Sequence, residues 1–483
     1  MFFLKMLNVN KDLLMEQILS RDKYDPVSLN AICFLEESLS KKQIWMNVNA
    51  CGVLFYILVV FYIVCAIVKE LGKIVCRFPI RCWFKRYRYF SEGLEGKIVF
   101  VVPSLNDYRS LERVINVVSK NETNMLILDE KEYYNAFPRL LILVKSFFSV
   151  FQLLYNVSSL PSDMRIIAYK HIDALFLSSG FTYCARKVFE KSSPECIVFA
   201  NDHSYDRKSL ILLSEDLGFK TIYIQHASIS SAFPELRTTY SFLDGMDVLE
   251  KYTSDEKKIY SKIILIGAVR YDGLRLYSIN RKCYKRDCIG IAVNDLDDAI
   301  SVKKLCDYLL KHLVNLKIKI RLHPAMKKSL YDFCCGKDRI VCISAEDEDV
   351  RVYLDSIDLQ LAGDSGIHLD AVFGGVPTFV YYFSNSKYVD SYDYVKNGLI
   401  EIVDSFEKVE NLITNQRINR PDSSLIRLYD ESYGKTYMGH CSEIVANFIK
   451  NGCNFNLFEK EKNLVQTSYK NSCYYIINDD NIE

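Results

Sequence analysis

The sequence predicts an α/β chain: two Rossmann-like domains in series that face a cleft, preceded by a transmembrane or membrane-anchoring helix. Three observations predict it. From Lys97 to Lys450, short apolar runs rich in Val, Ile, Phe and Tyr alternate with helical stretches, the pattern of parallel strands covered on both faces. That rhythm breaks and restarts near residues 277–287, and 483 residues leave room for two domains at roughly 100–200 residues each. Residues 50–68, ACGVLFYILVVFYIVCAIV, carry no charge, and a helix needs roughly 20 apolar residues to cross a bilayer.

Residues 1–49 read as an N-terminal helical segment, and 50–68 as a transmembrane helix. A secretory signal peptide would start earlier and end in a small-residue cleavage site, and a buried core helix would show some polar face. A basic-aromatic juxtamembrane segment follows at 69–96. It holds Lys69, Lys73, Arg77, Arg81, Lys85, Arg86 and Arg88, interleaved with Phe78, Trp83, Phe84 and Tyr87. Basic and aromatic residues beside a span mark the cytoplasmic interface. The expectation is a single-pass protein of the cell inner membrane, its two α/β domains on the cytoplasmic face and membrane lipid among its partners. A re-entrant or monotopic anchor would expose the same residues to headgroups.

The first domain, 97–280, opens on KIVFVVPS (97–104), a helical stretch to Ser119 and NMLILDE (124–130). A second pair, ECIVFANDHS (195–204) and KTIYIQHAS (220–228), brackets the helical SLILLSEDLGF. Between the pairs lies LLILVKSFFSVFQLLY (140–155). It reads first as a core helix and second as a greasy patch that touches lipid. The second domain, 281–452, repeats the rhythm: CIGIAVND (288–295), KIKIRLHP (317–324), RIVCIS (339–344), DLQLAGDSG (358–366) and PTFVYY (377–382). SLIRLYDESYGKTYMGHCSEIVANFIKN (424–451) is amphipathic enough to pack across the domains. Residues 453–483, rich in Asn, Lys and Asp, read as a flexible tail.

Composition narrows the partners. The 61 basic and 60 acidic residues nearly cancel, so no global field recruits nucleic acid. The sixteen cysteines show no CxxC pair and no repeated Cys/His spacing, which excludes the usual structural zinc patterns. A disulfide scaffold would be a shorter chain.

Polar residues cluster where the apolar runs stop. Asn201-Asp202-His203 and Gln225-His226 end two runs of the first domain; Arg321-Leu322-His323-Pro324 and Asp364-Ser365-Gly366 end two of the second. In open α/β sheets ligands bind beyond the carboxyl ends of the strands, so these groups are expected to converge on one interdomain cleft. Asp295-Leu296-Asp297 looks like a metal-binding DxD, but at the start of a helix it reads as a cap. No metal is expected.

The order strand-QH, ILIGAVRYDGL (264–274), RLHP and GDSGIHLDAVFGGVPTFVYY (363–382) resembles the GT-B glycosyltransferases of bacterial surface-polysaccharide synthesis. The nearest branch holds sialyl- and Kdo-transferases and CDP-glycerol glycerophosphotransferases, whose products include capsule and lipopolysaccharide. The resemblance covers roughly residues 97–450. It implies a first domain that binds the acceptor and a second that binds a nucleotide-sugar donor. His323 matches the donor-phosphate contact, with Arg321 and Pro324 beside it. Asp364, Ser365 and Gly366 match the donor-binding Ser-rich turn, although Gly366 stands where sialyltransferases have a second Ser or Thr, which argues against a sialic acid donor. Gln225-His226 matches the Gln-His-Gly of the polyol-phosphate transferases, with Ala227 in place of the glycine. Arg270, inside ILIGAVRYDGL, and Asn201 are assigned to the cleft.

The implied chemistry is metal-independent transfer of a sugar or polyol phosphate, from a CMP- or CDP-linked donor, to a glycan or lipid-linked glycan acceptor. A leaving phosphate needs N–H donors, which the turn 364–366 and His323 can supply. The acceptor hydroxyl needs a base, and imidazole titrates near neutrality; His226 is the first candidate and Asp202 the second. Two other readings stand. DSGIHLDAVFGGVP also resembles the non-hydrolysing UDP-GlcNAc 2-epimerases, and a membrane scaffold could keep the fold for binding alone.

Overall fold

The computed structural model describes residues 93–119, 124–158, 172–202, 204–229, 235–253, 259–272, 286–294, 296–323, 328–384, 390–414, 421–470 and 472–478, with 63–64, 67–69, 71–72, 233 and 326. The N-terminal segment 1–49, most of 50–68, most of the basic-aromatic segment, and His203, Asp295 and Pro324 lie outside them. Among the described residues no helix is long and apolar enough to cross a membrane.

Among the described residues the first sheet has eight strands in the order β13-β14-β6-β5-β4-β3-β1-β2. Its chain runs β1 (Ile98–Val102), α1 (Leu105–Ser119), β2 (Met125–Asp129), α2 (Glu130–Ala136), α3 (Arg139–Ser158), α4 (Ile172–Phe189), β3 (Cys196–Phe199), α5 (Tyr205–Leu217), β4 (Thr221–Ile224), β5 (Tyr240–Leu243), α6 (Met246–Tyr252) and β6 (Lys262–Leu265). These six strands pair in parallel. Strands β1, β3 and β4 are buried at every position, which is why their sequences show no alternation. A 3-10 turn at Val269–Tyr271 closes the unit.

Among the described residues the second sheet has six parallel strands in the order β12-β11-β10-β7-β8-β9. It is built from β7 (Cys288–Val293), α7 (Ala299–His312), β8 (Lys317–Leu322), β9 (Ile340–Ser344), α8 (Val350–Asp355), β10 (Leu359–Ala362), α9 (Ile367–Phe373), β11 (Thr378–Val380), β12 (Glu401–Ile402) and α10 (Phe406–Thr414). Apart from the β13–β14 pair, both sheets are parallel, with helices between most successive strands. Helices α11 (Ser423–Tyr429) and α12 (Cys441–Lys450) then carry the chain back, and α12 buries Ile444, Val445, Phe448 and Ile449 in the core of the first sheet.

The last residues depart from the expectation of a flexible tail. Residues 455–477 form α13 (Phe455–Glu461) and an antiparallel hairpin of β13 (Leu464–Tyr469) and β14 (Ser472–Ile477), and β14 extends the first sheet beside β6. The polar composition hid a strand pair, LVQTSY and SCYYII, whose β-branched and aromatic residues suit a sheet edge. Phe455, Phe458, Leu464 and Ile477 are buried in the same core as Tyr240 and Phe242, and the Phe455 ring stacks on Tyr240 at 5.9 Å. The first domain is thus completed by the chain's last elements, from Cys441 onward.

Candidate functional site

The two domains touch where the loop after β4 meets the turn after β10. A methyl group added at Gly366 would lie 3.4 Å from Ser228 Oγ, and Ser228 Oγ is 2.5 Å from the hydroxyl of Tyr394 in the second domain. His226, half-buried, stands two residues before Ser228. The structure therefore brings the Gln-His-Ala-Ser segment of one domain onto the Gly-Asp-Ser-Gly turn of the other.

The loop after β4 is held rigidly from within. The Gln225 amide donates to Ala227 O at 2.9 Å and its carbonyl accepts the Asp244 N–H at 2.9 Å, so this buried side chain shapes the loop that presents His226. Asp244 in turn accepts from Arg270 Nη1 at 2.6 Å. Burial works against the Arg270 charge, but Asp244 holds the guanidinium above its ordinary range. Beside it Tyr271 packs on Phe373 of α9 at 4.6 Å, and burial pushes the Asp370 carboxyl on that helix upward against the pull of Arg270. Arg270 is thus a structural cation at the domain seam.

At the end of β3 the Asn201 side-chain carbonyl accepts the Ser204 N–H at 3.1 Å, which braces the turn into α5, where Ser204 is the N-cap. Asp202 is only 3% exposed and lies 3.5 Å from the Tyr252 hydroxyl. Of the two candidate bases, His226 is the more accessible.

On the second domain His323 follows β8 and is exposed; its N–H donates to Val293 O at 3.0 Å. The sheet order places β7 between β8 and β10, so His323 and the turn 363–366 stand two strand spacings apart, roughly 10 Å. Asn294, after the intervening β7, donates to Asp364 O at 3.1 Å. The Asp364 side chain accepts from the N–H and hydroxyl of Ser391, while burial raises its pKa. Ser365 and Gly366 remain half-buried at the seam. Arg321 points elsewhere: its Nη1 donates to Glu348 O at 2.8 Å and the guanidinium lies 5.3 Å from the Tyr353 ring centroid. Helix α7 is capped by Asp298, which accepts from Ile300 and Ser301, one residue past the DxD-like triplet, and Asp297 closes the turn by accepting the Asn294 N–H. Among the described residues no cluster of His, Cys, Asp and Glu is placed to hold a metal.

Sequence reasoning missed Ser228, His368, Ser391 and Tyr394. Ser228 stood next to the Gln-His pair, and the alternating aromatics of Ser391-Tyr392-Asp393-Tyr394 were a signal of a packed loop. His368 is the support beneath the turn 363–366: its Nδ1 is 2.6 Å from Thr378 Oγ1 and its Nε2 3.0 Å from Gly363 O.

No family model matches the chain, and no curated protein does. Solved structures do. The UDP-GlcNAc 2-epimerase from Neisseria meningitidis, bound to UDP-GlcNAc, is 14% identical over 74% of this chain and all of its own, with a TM-score of 0.47. The UDP-N-acetylglucosamine 2-epimerase from Rickettsia bellii is 12% identical over 75% of this chain and 98% of its own, at 0.44. The glycosyltransferase SnogD from Streptomyces nogalater is 10% identical over 75% and 99%, at 0.39. The likeness is one of fold.

Proposed function

We propose that the chain is a metal-independent GT-B glycosyltransferase. It takes a sugar, or a polyol phosphate, from a nucleotide-activated donor on the second domain and delivers it to a hydroxyl of a surface-glycan or lipid-linked glycan acceptor on the first. The observation that carries this reading is the contact of the His226 loop with the turn 363–366, through Ser228 and Gly366. In this reading His226 is the proton acceptor of one domain and the turn supplies N–H groups from the other. In-line transfer needs that pairing: a base on the attacking hydroxyl and donors on the departing phosphate.

His226 is the base in this reading. Asp202, buried against Tyr252, is the reserve. Ser365 and Gly366 face the leaving phosphate, and His323, roughly 10 Å away across two strands, reaches a second part of the nucleotide. The His-Pro pair favours a cytidine-linked donor, CMP or CDP. Anchoring at residues 50–68 to the inner membrane, with both domains on the cytoplasmic side, suits an acceptor carried on lipid.

Screening the purified protein against cytidine and uridine nucleotides should raise its melting temperature with the true donor nucleotide. With donor and acceptor identified, His226→Ala should lose turnover by roughly 10²–10⁴-fold while donor affinity stays. A folded His226→Ala variant with wild-type turnover would remove the proposed base. A nucleotide sugar epimerised in the absence of any acceptor would replace the transferase reading with the epimerase one.

A further inference from the structure

Helix α3 is apolar on both its inward and its outward side. Its inward side carries Ile142, Leu143, Leu153 and two serines, Ser146 and Ser149, all buried. Its outward side carries Val144, Phe147, Phe148, Phe151 and Tyr155, exposed at 41%, 58%, 55%, 83% and 68%. The serines sit where α3 meets α4: the Gly180 N–H donates to Ser146 Oγ at 3.2 Å, and a methyl group at Gly180 would lie 2.0 Å from Ile142 O. Two helices joined by small residues, with phenylalanines turned outward, form the arrangement lipid favours, because apolar surface gains nothing by facing inward there. In water, a contiguous exposed patch of this kind marks an interaction surface.

We infer that the outer face of α3 is a lipid-docking surface that rests in the interfacial layer of a bilayer with anionic headgroups. Two further observations choose lipid as the occupant. Ile63 is buried in the same core cluster as Ile142, Leu143 and Leu153, and Ile67 packs against that cluster. The adjoining Val64, Val68 and Leu71 are exposed at 47%, 63% and 40%. The apolar surface of α3 thus belongs to a body that also holds the end of the uncharged run 50–68. That run leads directly into seven Lys and Arg residues between 69 and 88, which match an anionic headgroup layer. The basic residues of α3 itself lie over aromatic rings, Arg139 4.0 Å from the Tyr134 centroid and Lys145 4.3 Å from that of Tyr183. Long cations and aromatic bodies together suit the water–lipid boundary. The inference stands apart from the transferase reading, since no donor, acceptor or turnover enters it. It adds to an anchor at 50–68 a second contact that fixes the first domain's orientation on the membrane.

The test uses the full chain with the photoreactive p-benzoylphenylalanine incorporated at position 151, and separately at position 314 as a control. Val314 is equally open, at 76%, but belongs to the second domain. The protein is reconstituted with vesicles of phosphatidylethanolamine and phosphatidylglycerol, floated, irradiated and digested for mass spectrometry. Phospholipid adducts are expected at position 151, at least tenfold above position 314. Floated protein with no excess of lipid adducts at 151 would overturn the inference, and so would adducts joining 151 to a second copy of the chain. Failure of the chain to float overturns it as well. Substitution at 151 touches a side chain 83% exposed, so folding is not at stake.

Discussion

His368 should make the second domain's stability fall as the medium turns acidic. The imidazole is 1% exposed. Its Nε2 faces the carbonyl of Gly363, which can only accept, so Nε2 carries the proton and Nδ1 accepts from the Thr378 hydroxyl. The ring is neutral, and burial lowers its pKa from 6.5 to about 4. Between those values the unfolded chain binds a proton that the folded chain refuses. The stabilisation is therefore complete above about pH 6.5 and is lost as pH falls toward 4. A shift of this size amounts to about 3 kcal/mol.

His368→Gln isolates that effect. Glutamine can still donate to Gly363 O and accept from Thr378, but it does not titrate. Urea unfolding of both proteins, read by pulse proteolysis of the second domain between pH 4 and 7.5, gives the difference in unfolding free energy at each pH. Carboxylates common to both proteins cancel in that difference. Wild type should lose about 3 kcal/mol relative to the variant on going from pH 7.5 to 4. A difference flat to within about 0.5 kcal/mol across the range would refute a buried neutral imidazole.

Two further perturbations test the fold. Truncation after Gly452 removes α13 and the β13–β14 hairpin, uncovers the core around Tyr240 and Phe242, and should leave the first domain open to limited proteolysis; a truncated chain as resistant as the full one would contradict the hairpin's place in the sheet. Gly180→Ala puts a methyl group 2.0 Å from Ile142 O and 2.4 Å from Ser146 Oγ. It should destabilise by about 1–3 kcal/mol or more, seen as a lowered melting temperature, and an unchanged one would show that α3 and α4 do not approach so closely.

The strands were legible because burial on both faces writes itself as unbroken runs such as IVFVV and TIYI. Where the strand was short or polar the sequence was silent. Glu401–Ile402 is a two-residue edge, and SCYYII is partly exposed at four of its six positions and exposed at Cys473. The site was legible as places rather than roles. Gln225 and Arg321 stood at strand ends as expected, yet their donors are committed to Ala227 and Glu348, and only the folded loops reveal that. Ser228 and Tyr394 are separated by 166 residues, so no local pattern could pair them.

The chain passes from the first domain to the second after Asp272 and returns after Asp430, and both carboxylates tie the crossing down. Asp272 accepts from the Ser442 N–H at 2.7 Å at the start of α12, and Asp430 accepts from the Ala268 and Ser432 N–H groups at 3.3 and 2.9 Å. With Tyr271 packed on Phe373 between them, these contacts hold the two crossings together. Two further contacts join the domains. Lys251, paired with Asp247 at 2.7 Å, donates to Tyr392 O at 2.9 Å, and Ser228 meets Tyr394. Tyr394→Phe deletes one of these bonds and keeps the ring against Tyr392 and Tyr429. If the closed cleft is the form that grips a nucleotide, the loss of about 1 kcal/mol should weaken nucleotide affinity roughly fivefold with no change in melting temperature of the free protein beyond a few degrees. Calorimetric titration of the free nucleotide measures it. Affinity equal to wild type, or tighter, would mean that Ser228 and Tyr394 do not hold the binding-competent form together.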